Sequence, residues 1–240
     1  MDTAIISGVG PLEGIGAQLC LRFAGLGLHV FVAGRTQSSL DAVVQKIEQA
    51  GGSATAAIAD ATDESATTAL FKQAREIGKI DLVIYNTGNN TPGRIEDMSA
   101  EFFENSWRVC CFGGFLYGRE AIQHMKRDGG GTILFTGASA SLRGRPNFGA
   151  FNSSKGALRN LANAMAKEYG NDLIHVGHVV VDGAVGGDKI RTRLPEYAEK
   201  LGEAGLVSID AIIDVYEFLY KQPRGGWSFE IDVRTAIENW

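Results

Sequence analysis

Apolar positions along this chain follow two alternating rhythms. Short β-branched runs at Thr3–Ser7, His29–Ala33, Ala54–Ala59, Leu82–Tyr85, Thr132–Thr136 and Ile174–Val181 are apolar almost without interruption, the pattern of strands buried on both faces. Between them, residues 14–26, 37–50, 63–77, 100–126 and 150–169 carry apolar side chains at helical spacing. Strand and helix in alternation call for parallel strands joined by right-handed crossovers. Trp227–Val233 reads as one more strand. The expected architecture is therefore α/β: a single doubly wound Rossmann domain over 1–240, with a central parallel sheet of about seven strands flanked by helices. Only 5 prolines occur and no low-complexity linker interrupts the pattern, which argues against two domains. The glycines near 51 and at 129–131 read as helix-ending turns.

Residues 183–207 depart from this rhythm. Gly183-Ala184-Val185-Gly186-Gly187 loosens the backbone ahead of a polar helical patch, Ile190 to Ala204. An excursion of this length in a compact domain reads as a lid over a site.

Charge and composition remove several classes of partner. The net charge is -5 and no Lys/Arg-rich run tracks a phosphate backbone, so nucleic acid is not an expected partner. No stretch of roughly eighteen uncharged apolar residues and no basic, apolar leader occurs, so a cytoplasmic protein with no membrane partner is expected. Cys20 and the adjacent Cys110 and Cys111 lack metal-ligand spacing, which predicts neither a disulfide framework nor a metal site and suits a reducing compartment.

The chemistry begins where the first strand ends. Ile5-Ile6-Ser7 runs into Gly8-Val9-Gly10-Pro11-Leu12-Glu13-Gly14-Ile15-Gly16, and a helix opens directly after it. Glycines at a strand-to-helix turn let the chain bend sharply and bring backbone N–H groups against a pyrophosphate at the positive end of the helix. A nicotinamide dinucleotide is the expected ligand.

Gly10, Gly14 and Gly16 reproduce the G-x3-G-x-G spacing of the short-chain dehydrogenase/reductase family, and the chain resembles that family along nearly its whole length. Asp60, in Ala59-Asp60-Ala61-Thr62, matches the family's acid after the third strand. Tyr85-Asn86-Thr87-Gly88 stands where the family has Asn-Asn-Ala-Gly, keeping one Asn and the Gly. The resemblance implies cofactor contacts from Gly8, Gly10, Gly14, Ile15, Gly16, Asp60, Ala61, Asn86, Gly88, Lys155 and Val185. It also implies a homodimer or homotetramer through helices 100–126 and 150–169. Compared with members carrying a compact glycine loop, Leu12 and Glu13 are extra, and Glu13 must point to solvent to avoid repelling a pyrophosphate.

At the end of the second strand, Gly34 offers no carboxylate for a ribose 2′-hydroxyl, whereas Arg35, followed by Thr36, offers a fork of donors for a 2′-phosphate. NADP(H) is therefore favoured over NAD(H).

The family's catalytic side chains are mostly missing. Its Tyr-x-x-x-Lys motif reads Phe151-Asn152-Ser153-Ser154-Lys155, so the lysine is retained and the phenol is lost. The family's serine falls on Ala138 and its asparagine on Cys110. A general acid is worth about 10² to 10⁴ in rate, so ordinary ketone reduction should be slow unless another group substitutes. Ser139, one residue past Ala138, is the foremost substitute; Tyr117 is a second, and Asp182, standing where the family has Pro, is an acid near the site mouth. His175 and His178 read as packing or cofactor-adjacent residues. Two functions remain: an oxidoreductase acting on a small carbonyl or enone-like molecule, or a catalytically silent NADP-binding sensor or scaffold.

Overall fold

The computed structural model describes residues 1–238; Asn239 and Trp240 lie outside the described residues. The chain runs β1 (Thr3–Ser7), α1 (Ile15–Gly25), β2 (His29–Gly34), α2 (Gln37–Gln49), β3 (Ser53–Ile58), α3 (Glu64–Ile77) and β4 (Ile80–Tyr85). It continues with α4 (Ala100–Trp107), α5 (Gly113–Arg127), β5 (Gly131–Ala138), α6 (Gly149–Tyr169) and β6 (Ile174–Asp182). Beyond these come β7 (Ala184–Val185), α7 (Asp188–Arg193), α8 (Pro195–Leu201), β8 (Leu206–Val207), α9 (Ile209–Lys221) and β9 (Glu230–Arg234). The main sheet has the order β3-β2-β1-β4-β5-β6-β9, and each pairing is parallel. Order reverses between β1 and β4, and in open sheets of this kind ligands bind at that switch point, beyond the carboxyl ends of the strands.

Alternation of side chains along the strands divides the core into two layers. Ala4 and Ile6 of β1 face one way, onto Leu19 and Phe23 of α1, Leu40 of α2 and Ile212 and Tyr216 of α9. Ile5 faces the other way, with Phe71 of α3, Tyr117 of α5 and Leu158 of α6. The expected strands are all present, with ends moved by a residue or a few; the glycine turns at Gly51, Gly129 and Gly130 do adopt positive φ.

Two expectations change. The segment 100–126 is helical throughout but not regular: a single π turn, Arg108–Phe112, joins α4 to α5 and contains Cys110 and Cys111. Tyr85 braces this turn by donating its hydroxyl hydrogen to the Val109 carbonyl at 2.6 Å. The patch 190–204 is two short helices, α7 and α8, closed off by a parallel β7–β8 pair in which Ala184 faces Leu206 and Val185 faces Val207. Helix α9 went unread in the sequence. No described helix is long and apolar enough to cross a membrane.

Candidate active site

The Gly8–Gly16 turn passes so close to its neighbours that two of its glycines have no room for a side chain. Gly8 has φ of 75°, and a Cβ there would lie 2.7 Å from the Asn86 carbonyl carbon and the Thr87 nitrogen. A Cβ on Gly16 would lie 2.7 Å from the Gly8 oxygen. Gly10, in contrast, has no described heavy atom within 4 Å of its missing side chain, so space is open at the tip of the turn. Asp63, Ser99 and Ser208 cap α3, α4 and α9 with side-chain oxygens, whereas α1 opens at Gly14 with no side-chain cap. Its first N–H groups remain available to an anion. Glu13 is exposed, as a pyrophosphate neighbour must be.

A chain of hydrogen bonds holds this turn from below. The Tyr216 hydroxyl donates to Thr136 Oγ1 at 2.6 Å, Thr136 Oγ1 donates to Asn86 Oδ1 at 3.0 Å, and Asn86 Nδ2 donates to the Gly8 carbonyl at 3.2 Å. Asn86 thus supports the turn, a role the sequence did not reveal, and Thr136 and Tyr216 are parts that sequence reasoning missed. Asp60 is exposed and folds back to accept from the Thr62 amide and hydroxyl, both at 2.8 Å. Ala61 is buried, with its carbonyl 2.7 Å from where a Gly113 Cβ would stand. Ile15 packs half-buried on the core.

At the end of β2, a Cβ on Gly34 would lie 2.6 Å from the Val9 oxygen and 3.0 Å from Leu40 Cδ2, so no acidic side chain fits there. Arg35 beside it is exposed and makes no ion pair with a described residue, and Thr36 caps α2 without using its hydroxyl. A glycine loop that a Cβ would block and an uncapped helix above it fit a dinucleotide, and Arg35 and Thr36 fit a phosphate at its ribose.

Phe151 lies on the first turn of α6 and Lys155 one turn further, on the same face. Lys155 is 3% exposed; its Nζ donates to the Thr136 carbonyl at 2.7 Å and stands 5.9 Å from the Phe151 ring centroid. Gly88 leaves room beside it, since a Cβ there would come within 3.4 Å of Nζ. Burial holds the Lys155 pKa below its ordinary value, against the opposing pull of the Cys110 and Cys111 thiols. Cys110 is buried and its Sγ accepts from the Asn89 amide at 3.4 Å.

The proposed substitutes separate clearly. Ser139 is half-buried after β5, and its hydroxyl has no hydrogen-bond partner among the described residues. Tyr117 must be withdrawn: it is 1% exposed, edge-on to Phe71 and tilted against Tyr85 within the core. Asp182 is no free acid at the mouth, because Arg143 holds it in a bidentate pair at 2.7 and 3.1 Å. Val185 sits in the β7–β8 pair with its carbonyl accepting from Gly187 N–H at 2.9 Å. His175 stacks on Trp227.

His178 does more than pack. Its Nδ1 lies 2.9 Å from Glu230 Oε2, and its Nε2 lies 3.4 Å from the Ser141 hydroxyl, which itself accepts from the Ala138 amide at 3.2 Å. Arg159 completes the chain with a bidentate pair to Glu230. Burial lowers the His178 pKa to about 4 and outweighs the raising effect of Glu230, so the ring is neutral, donating from Nδ1 and accepting at Nε2. Because the folded state resists protonation, stability is fully present above the unfolded histidine value near 6.5 and declines as pH falls towards 4. A thermal denaturation series over that window should show the decline, and His178→Gln should flatten it; parallel curves for the two proteins would refute the assignment.

Comparison with known proteins places these features in company. Residues 3–189 match the family model described as short chain dehydrogenase. Versicolorin reductase 1 of Aspergillus parasiticus is 33% identical over 196 residues, covering 81% of this chain and 73% of its own. A solved short-chain dehydrogenase from Rhodopseudomonas palustris is 33% identical, with a TM-score of 0.83 over 97% of this chain and 98% of its own. A 7α-hydroxysteroid dehydrogenase, solved with NADH and 7-oxo glycochenodeoxycholic acid, is 28% identical, with a TM-score of 0.90 over 99% of this chain and 95% of its own.

Proposed function

Since this chain belongs to the short-chain dehydrogenase family, we propose that it is an oxidoreductase that prefers NADP(H), acts on a carbonyl or enone-like small molecule, and works with a degenerate catalytic tetrad. When bound, the dinucleotide supplies or accepts the hydride. The observation that carries this reading is the glycine turn at Gly8–Gly16, open at its tip and set on the uncapped end of α1, with Lys155 buried beside Gly88 and the Thr136 carbonyl.

Each residue has its part. Backbone N–H groups of Gly10, Ile15 and Gly16 bind the pyrophosphate, Asp60 and Ala61 flank the adenine, and Arg35 and Thr36 take the 2′-phosphate. Lys155 and Gly88 meet the nicotinamide ribose, and the Val185 backbone meets the carboxamide. The 183–207 segment acts as the substrate lid: a Cβ on Gly187 would lie 2.8 Å from the Glu13 carbonyl, and Lys189 Nζ donates to Asn90 Oδ1 at 2.9 Å, so the segment rests on the glycine turn and on the loop after β4. Ser139, one residue past Ala138, is the hydroxyl that would stand in for the lost serine.

NADPH quenching and NADH quenching, measured on the wild type and on Arg35→Ala, test the cofactor assignment. A charged hydrogen bond is worth about 1.5–3 kcal/mol, so NADPH affinity should fall roughly 10- to 100-fold while NADH affinity barely changes. Equal losses would defeat it. The missing phenol and serine hydroxyl favour a second reading, a silent NADP-binding sensor or scaffold; binding without turnover over a panel of ketones, enones and quinones would select it.

Assembly as a homodimer or homotetramer is part of the same proposal. The α4–α5 region leaves Phe103 and Trp107 exposed, with Trp107 stacked on Phe112 and Arg108 over that ring.

A further inference from the structure

Hydrogen bonding beneath the glycine turn has a single direction. The Gly8 carbonyl only accepts, so the Asn86 amide must present Nδ2 to it, at 3.2 Å, and turn Oδ1 the other way. Oδ1 also only accepts, which makes Thr136 Oγ1 the donor at 3.0 Å and leaves the Tyr216 hydroxyl to donate to Thr136 at 2.6 Å. Tyr216 is fully buried, and burial pushes its phenol up, so it keeps the proton that this order requires.

An amide has two ends, and one of them repels a carbonyl. The Thr136 hydroxyl decides which end of Asn86 meets Gly8; without it the side chain is free to rotate and set oxygen against oxygen. Both ends of the glycine turn meet at that Gly8 carbonyl. A Cβ on Gly16, in the first turn of α1, would lie 2.7 Å from the Gly8 oxygen and 3.2 Å from Asn86 Nδ2. A shift of the Gly8 carbonyl therefore displaces the start of α1 and the N–H groups it offers. Thr136 has a second attachment as well, because its own carbonyl accepts from Lys155 Nζ at 2.7 Å, so its backbone is held while its hydroxyl orients Asn86.

Resting on the dinucleotide-binding reading above, we infer that Thr136 and Tyr216 are positioning residues for the dinucleotide: they set its affinity by fixing the Asn86 amide and, through it, the Gly8 carbonyl beneath the phosphate turn. Their role differs from that of Arg35. Arg35 meets a group that NADPH alone carries, whereas the turn grips the pyrophosphate that NADPH and NADH share.

The test is titration of the wild type, Thr136→Val, Tyr216→Phe and their double variant with NADPH and with NADH, read by quenching of protein fluorescence. Thr136→Val strips out the hydroxyl and two hydrogen bonds, so it should weaken both dinucleotides about 10-fold and to the same extent. Tyr216→Phe removes one hydrogen bond and should weaken both about 3-fold. The double variant should bind no more weakly than Thr136→Val, because Tyr216 acts through Thr136. Thr136→Ser keeps the hydroxyl and should bind as the wild type does even where its Tm is lower, which a purely structural role would not produce. Unchanged affinity in folded Thr136→Val, losses that multiply in the double variant, or Thr136→Ser binding as weakly as Thr136→Val would each overturn the inference. Should Thr136→Val not fold, Tyr216→Phe decides, and unchanged affinity for both dinucleotides overturns it. In all these outcomes the wild type still binds; if it binds neither dinucleotide, the underlying reading falls and this inference with it.

Discussion

Phe151→Tyr combined with Ala138→Ser is expected to raise NADPH-dependent reduction of a saturated ketone by roughly 10² to 10⁴, the contribution of one positioned general acid. The expectation follows from geometry. Phe151 occupies the first turn of α6, one turn before Lys155, whose Nζ already stands 5.9 Å from the ring. A hydroxyl on that ring would enter the neighbourhood of a buried ammonium, which favours its ionised form and so makes it a better acid. Ala138 ends β5 half-buried, with its amide capped by Ser141, so a serine there has a fixed backbone from which to reach. The gain should appear in kcat, because neither change touches the glycine turn that binds the cofactor. NADPH should bind as before. No gain in turnover, with NADPH affinity preserved, would show that the positions of phenol and serine are laid out otherwise.

Much of this site was legible because it is written in local sequence. The glycine turn, Arg35 after the second strand, and the Phe151–Lys155 spacing are each contiguous, and backbone geometry follows from glycine content and strand-helix alternation alone. What escaped was joined across the fold. Thr136, Asn86 and Tyr216 come from β5, the end of β4 and α9, and only the sheet order brings them into one chain of hydrogen bonds. The same holds for Ser141, His178, Glu230 and Arg159. The π turn at Arg108–Phe112 leaves no mark in apolar periodicity, since one extra residue per turn shifts the face without removing it. Helix α9 is a different case: Ser208 at its cap and Ile212, Tyr216 and Leu219 at helical spacing were visible signals, obscured by the irregular segment before them.

The largest expected loss of stability is at Arg143. Asp182 is 1% exposed at the end of β6, and its carboxylate is met by both terminal nitrogens of Arg143, which is 35% exposed and lies just past the short turn that follows β5. The two sides of this pair are not equivalent. Arg143→Met leaves a buried carboxylate with no cation, a loss on the order of 3 kcal/mol. At about 2–4 °C per kcal/mol for a chain of this size, Tm should fall by roughly 6–12 °C. Asp182→Asn leaves a guanidinium that water can reach, so its loss should be smaller, about 1 kcal/mol. Combining the two changes should recover part of the Arg143→Met loss, because the stranded charge is gone. Such a double-mutant cycle separates a buried tether from an ordinary surface ion pair, for which each single change would cost only about 0–1 kcal/mol. The tether also matters for the reaction. It pins the turn carrying Ser139 to the strand that leads into the 183–207 segment, so its loss should raise KM for the substrate more than Kd for NADPH. Equal and small losses of Tm in both single variants would place the pair at the surface and remove that turn from the preorganised part of the site.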